Sequence, residues 1–114
     1  MPPRDWRDWV EDIILSVQNI EEDIAGLEYD AFASDRPRVR SVEFSFIVIG
    51  EAARLIPKEV ADRHPEIPWA KLREMRDVIA NGYANVRLDA LWGTIKNDLT
   101  PLAGQLGRML EAER

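Results

Sequence analysis

Apolar residues recur at intervals of three and four along almost the whole chain, a rhythm that only an α-helix gathers onto one continuous face. In the first third they fall at Trp6, Trp9, Ile13, Val17, Ile20, Ile24 and Leu27, with acids between them. The spacing predicts a long amphipathic helix with an acidic outer face, ending near Gly26. A connection through Tyr29 and Phe32 then reaches Ser34 and Asp35, either of which can cap a second helix, with Pro37 suited to its first turn. In that helix Val39, Val42, Phe46, Ile49, Ala53 and Ile56 keep the rhythm, while Phe44, Ile47, Val48 and Ala52 widen the apolar surface beyond one stripe. A helix apolar over more than half its circumference needs a second partner, so this one is expected at the centre of the fold, against another subunit, or both.

Pro57 ends the second helix, and residues 57–68 read as a loop with one short turn around Glu59–Arg63. A third helix is expected from Pro68, with Trp69, Leu72, Met75 and Ile79 inward and Gly82 as its terminator. The fourth carries Leu88, Leu91, Ile95, Leu99, Leu102, Leu106 and Met109, and Pro101 inside it predicts a kink near Asn97–Asp98. No strand-type alternation or internal repeat interrupts the pattern. Four helical segments with short connections predict an all-α antiparallel four-helix bundle with a kinked last helix.

The 114 residues suit one domain spanning 1–114 with a single apolar core. No stretch has the eighteen or so apolar residues of a membrane span, and the charged opening MPPRDWRDWVEDII is unlike a signal peptide, so a cytoplasmic protein with no membrane partner is expected. The absence of cysteine excludes disulfides and thiol chemistry. The lone histidine, His64, cannot build a zinc site and reads as a loop residue rather than a catalytic base; neither a metal nor a cofactor is expected.

A net charge of −6 argues against nucleic-acid binding if taken as an average. The charge is uneven, however: residues 1–35 hold two Arg against ten Asp and Glu, whereas 36–76 hold nine Lys and Arg against six acids. Any phosphate-binding face must draw on the middle of the chain. Solvated helix faces account for the same split without a function.

The stretch with chemistry in it is Arg76-Asp77-Val78-Ile79-Ala80-Asn81-Gly82-Tyr83. In unbroken helix Arg76 and Tyr83, seven apart, share a face, whereas residue 81 points about 140° away from Arg76 and joins it only if the helix loosens at Gly82. The same residues also read as an ordinary helix C-terminus, with Arg76 near the negative end of the dipole and Asn81-Gly82 as a left-handed cap.

This stretch resembles the signature of the HEPN ribonuclease superfamily, an Arg, four residues, a His, one residue and a Tyr. The resemblance is to its HepT-like branch, to which Ile49-Gly50-Glu51-Ala52-Ala53, His64-Pro65-Glu66-Ile67-Pro68-Trp69, Leu91-Trp92, Thr94-Ile95 and Asn97-Asp98-Leu99 are also similar, in the same order. It implies a helical bundle that dimerises so that two motifs face one cleft, and metal-independent cleavage of RNA. In that chemistry a 2′-hydroxyl attacks the adjacent phosphate, an imidazole handles a proton and an arginine neutralises charge on the phosphate oxygens. The family arginine corresponds to Arg76, the tyrosine to Tyr83 and the histidine position to Asn81. A carboxamide cannot shuttle a proton near neutral pH, so activity is expected to be impaired. Asn81 fits either a naturally weakened member or a His→Asn change made so that a toxic protein could be produced.

The resemblance further implies the toxin of a type VII-like toxin–antitoxin system, neutralised when a minimal nucleotidyltransferase antitoxin transfers AMP to Tyr83. The competing reading is a non-catalytic helical module that docks on that nucleotidyltransferase. Asp77, beside Arg76, offsets local positive charge. Glu51 looks buried on the second helix and is a candidate to orient Arg76, although a solvated or subunit-facing acid reads equally well.

Overall fold

A computed structural model describes residues 4–82 and 85–114. Helix α1 spans Trp6–Ile24 and opens on Asp5, whose carboxylate accepts from the Arg7 N–H at 2.8 Å while Asp8 accepts from the Asp5 N–H at 3.2 Å. These reciprocal bonds satisfy donors that a helix start leaves orphaned. Val10, Ile13, Val17, Ile20 and Ile24 are buried along its inner face. The chain leaves α1 through Gly26, which adopts φ of 76°, a left-handed geometry that glycine enters without steric cost.

The stretch expected as a connection contains a short helix, α2 (Tyr29–Ala33). Five residues are too few to display a helical period, but Phe32 is fully buried and its ring lies 5.2 Å from that of Trp92, with the Tyr29 ring edge-on at 6.0 Å. Tertiary packing on an aromatic cluster holds this turn in place.

Helix α3 spans Arg36–Leu55, with Asp35 accepting from the Arg38 N–H and Pro37 in the first turn. It packs against α1 on one side and α5 (Trp69–Ala80) on the other, which is the central position its wide apolar surface called for. Not all of that surface is consumed: Phe44 remains 66% exposed and Leu55 51% exposed. The turn predicted between α3 and α5 is a short helix, α4 (Lys58–Asp62).

The fourth segment is divided. α6 (Leu88–Thr94) passes into a π-helical turn at Ile95–Leu99, followed by α7 (Leu102–Ala112), which packs on α1. Pro101 has no N–H for the Asn97 carbonyl and its ring crowds that carbonyl, so the backbone widens where the kink was expected. Side chains from all these helices meet in one apolar cluster. Each fully buried Ile, Leu or Phe contributes about 1.5–3 kcal/mol, so packing of the inner faces outweighs helix propensity in holding the bundle. No described helix is long and apolar enough to cross a membrane.

Candidate active site

Gly50 of α3 and Arg76 of α5 lie in close backbone apposition. A Cβ built on Gly50 would sit 2.5 Å from Arg76 Cβ and 2.6 Å from its backbone nitrogen. Only a residue without a side chain allows the two backbones to approach this far. The next residue on α3 is Glu51, and its Oε1 lies 3.0 Å from Arg76 Nε. Glu51 also approaches Arg54 Nη1 at 3.6 Å. Its side chain is 48% exposed, which corrects the expectation of a buried acid: it sits at the lip of the α3–α5 seam, anchored at one end and wet at the other.

The Arg76 side chain is 39% exposed, and its Nη1 donates to Asp77 Oδ1 at 3.3 Å. Glu51 therefore meets the guanidinium at Nε and Asp77 meets it at Nη1. With Arg54 also on Glu51 the two carboxylates face two guanidiniums, so the cluster has no net charge, and an incoming phosphate must displace the longer Asp77 contact. Exposed pairs of this kind contribute roughly 0.2–1 kcal/mol, which places that displacement within reach.

Helix α5 ends at Ala80, but Asn81 keeps φ −86° and ψ −20°, and its N–H still bonds to the Asp77 carbonyl at 2.9 Å. The left-handed cap allowed for at Asn81-Gly82 is not formed, since Gly26 has the only positive φ among the described residues. Nor does the helix loosen before residue 81. Helical geometry carried through Asn81 leaves it about 140° around the axis from Arg76, so one chain does not bring these two residues into a single patch. Asn81 is exposed. Tyr83, the third motif residue, lies outside the described residues.

His64 is in the loop between α4 and α5, as expected, but it is buried. Nε2 pairs with Glu113 Oε2 at 2.8 Å, and Nδ1 is 3.4 Å from Glu66 Oε1. Arg63 donates to the same Glu113 carboxylate through Nε at 2.9 Å and an Nη at 2.8 Å, and Arg7 donates to the Glu113 carbonyl. The His64 carbonyl accepts from Trp69 Nε1 at 3.0 Å. This clasp ties the end of α7 to the start of α5. Neither partner of Glu113 was foreseeable from spacing, because each lies about fifty residues away in the chain.

Arg63, and next His64, hold the Glu113 carboxyl down at about 2, against 4.5 for an ordinary glutamate. A lowered acid adds stability above the unfolded value and loses it as pH falls towards the folded one. The melting temperature of the parent should thus exceed that of Glu113→Gln at pH 7, and the gap should close between about 4.5 and 2. Thermal unfolding followed by circular dichroism across that range measures it, and a gap independent of pH would refute the clasp. Among the described residues no three His, Asp or Glu side chains gather as a metal site.

The family model described as ribonuclease HepT-like matches residues 13–109. A protein of Thermococcus cleftensis named probable ribonuclease HepT is 33% identical over 106 residues, covering 93% of this chain and 96% of the relative. A protein of Caldanaerobacter subterraneus that carries a provisional RNase name is 29% identical over 108 residues, 95% of this chain and 96% of its own. One from Methanocaldococcus jannaschii, also provisionally named an RNase, is 28% identical over 111 residues, 97% of this chain and 92% of the relative. No solved structure matches the chain significantly.

Proposed function

Because the chain belongs to the HepT-like ribonuclease family, we propose that it is the toxin half of a toxin–antitoxin pair, an endoribonuclease that needs no metal and is weakened here by Asn81. The observation that carries this reading is Arg76, a half-exposed guanidinium held by Glu51 at 3.0 Å on the helix that bears the motif. Once Asp77 is displaced from Nη1, the guanidinium can give a phosphate two hydrogen bonds and neutralise the developing negative charge. The 2′-hydroxyl attacks the neighbouring phosphorus, the 5′-oxygen leaves, and the proton passes through the group at position 81. A histidine there serves as acid and base; an amide does not. Cleavage of RNA in EDTA by this chain and by Asn81→His, side by side, tests the reading.

A homodimer completes the site. Phe44, Val48, Glu51 and Leu55 recur at helical spacing along one face of α3, so the unburied apolar stripe runs through the residue that holds Arg76. A second copy seated on that stripe sets two Arg76 side chains along one cleft and supplies a position 81 from across it. This answers the separation of Arg76 and Asn81 within one chain.

Neutralisation is assigned to Tyr83, whose phenol oxygen attacks the α-phosphorus of ATP on a nucleotidyltransferase and releases pyrophosphate. An AMP there places an anion two residues after Asn81, in competition with RNA for Arg76. Incubation with the cognate nucleotidyltransferase, ATP and magnesium should add AMP to this chain and not to Tyr83→Phe. Peptide mass mapping that places AMP on another residue refutes the assignment.

The second reading is a non-catalytic module that docks on the nucleotidyltransferase. The carboxylates on both sides of Arg76 and the untitratable Asn81 favour it. An Asn81→His chain that stays inert would decide for it.

A further inference from the structure

Two to four turns along α3 from Gly50, towards its N-terminus, a groove of about 290 Å³ opens between α3 and the segment that follows the motif. Arg36, Arg40 and Glu43 line it from α3; Asn85 and Val86 line it from the opposite side, with Val39 at its wall. Arg36 and Arg40 are one helical turn apart on one face, both exposed, and among the described residues neither is ion-paired. Arg38 between them behaves differently: it is turned away, held by Asp35 at 2.8 Å and by the Asp23 carbonyl. The groove thus holds two guanidiniums against one carboxylate, Glu43, in a chain whose net charge is −6. Asn85 is tied back to the motif by its N–H, which donates to the Gly82 carbonyl at 2.7 Å.

We infer that this groove seats one nucleotide of single-stranded RNA, with a phosphate between Arg36 and Arg40, the base against Val39 and Val86, and a guanine edge on Glu43. The inference rests on RNA being the substrate and adds to that reading a subsite whose near edge, at Glu43, lies about 10 Å along α3 from the Gly50–Arg76 contact and whose phosphate position, between Arg36 and Arg40, lies about 18 Å from it, at 1.5 Å of rise per residue. A half-buried carboxylate is an acceptor-only group, and guanine is the base that offers two adjacent donors, N1–H and the 2-amino group, with no acceptor between them. Burial raises the Glu43 carboxyl above its ordinary range while the charge of Arg40 opposes the rise, so the group gains from donors that replace lost water. Single-stranded RNA is read in this way generally, by unstacked bases on apolar walls with their edges hydrogen-bonded.

The experiment measures binding of the full chain, carrying Asn81, to fluorescent RNA octamers in EDTA by anisotropy over a salt series. One octamer is all adenosine, one has a single guanosine, and one has inosine in its place, which keeps N1–H but lacks the 2-amino group. The guanosine octamer should bind about tenfold more tightly than all-adenosine, at the lower end of what a bidentate edge contact gives, with inosine between. Glu43→Gln should erase that preference and leave adenosine binding within about twofold. Arg36→Ala and Arg40→Ala should weaken all three octamers alike, each lowering the log–log salt slope by about 0.7. Arg36 and Arg40 are exposed and Glu43→Gln keeps the shape of its side chain, and unchanged melting curves confirm that the variants fold. Equal binding of the three octamers overturns the guanine contact. An unchanged salt slope in both arginine variants, or no octamer binding by the parent, overturns the groove.

Cleavage by Asn81→His reports separately on the underlying reading. Octamer binding through Arg36 and Arg40 beside an inert Asn81→His chain keeps the groove and removes the ribonuclease. Cutting that is indifferent to Arg36→Ala and Arg40→Ala, with binding equally indifferent, does the reverse.

Discussion

Replacing Asn81 with histidine is expected to raise RNA cleavage in EDTA by at least about 10²-fold, the lower end of what a positioned acid–base group contributes. The site tolerates the change. Asn81 is exposed, its backbone lies in the ordinary right-handed region, and its N–H bond to Asp77 does not involve the side chain. An imidazole at the end of α5 also meets the negative pole of the helix, which favours its protonated form and so its service as an acid. Adding Arg76→Ala to the histidine variant should abolish the gain, since no other guanidinium is held by Glu51 at 3.0 Å. The pH profile of the histidine chain should be bell-shaped, and that of the parent flat. Equal inertness of parent and variant against several RNA pools would remove the ribonuclease reading and leave the docking module in its place.

Gly50→Ala should lower the melting temperature by about 10 °C. Two effects compete. Alanine in a helix interior is favoured over glycine by about 1 kcal/mol. The added methyl, however, would stand 2.5 Å from Arg76 Cβ and 2.6 Å from its backbone nitrogen, so a main chain rather than a flexible side-chain end must give way. Overpacking of this kind costs about 1–3 kcal/mol; at the upper end the net loss is about 2 kcal/mol, and each kcal/mol shifts the midpoint by about 4–8 °C in a domain of this size. Gly93→Ala supplies the control, because a Cβ there meets nothing within 4 Å and only the propensity gain should remain. Calorimetry of both variants decides the matter: equal behaviour would mean that α3 and α5 are not in close apposition. The Asn81→His chain should also lose activity on Gly50→Ala, as pushing α5 outward draws Arg76 Nε away from Glu51.

The long helices and their ends were legible in the chain because they depend on neighbours within a turn or two. The stripe Ile13, Val17, Ile20, Ile24 is buried as its spacing requires, Asp35 caps α3, Gly26 turns the chain after α1, and Pro101 disturbs the last helix just behind itself. Helix α2 escaped notice because five residues show no period; the ring of Trp92, sixty residues on, is what Phe32 packs against. The motif was legible only as spacing. An acid that orients Arg76 and a solvated acid were alternative readings of Glu51, and the structure joins them: a carboxylate at a helix–helix seam can be held at one oxygen and remain in water.

By itself the sequence determined the helical class, the breaks between helices, the apolar surplus of α3 and the candidate residues Arg76, Asn81 and Tyr83, since all of these follow from local spacing and residue chemistry. Tertiary structure alone decided that Gly50 is where α5 touches α3, that His64 and Arg63 close on Glu113, and that Arg36 and Arg40 face Asn85 across a groove. These contacts join residues twenty-five to fifty positions apart. Their distances depend on how far two helices slide and rotate against each other, and that is set by the fit of whole side-chain surfaces in the core rather than by the order of residues along either helix.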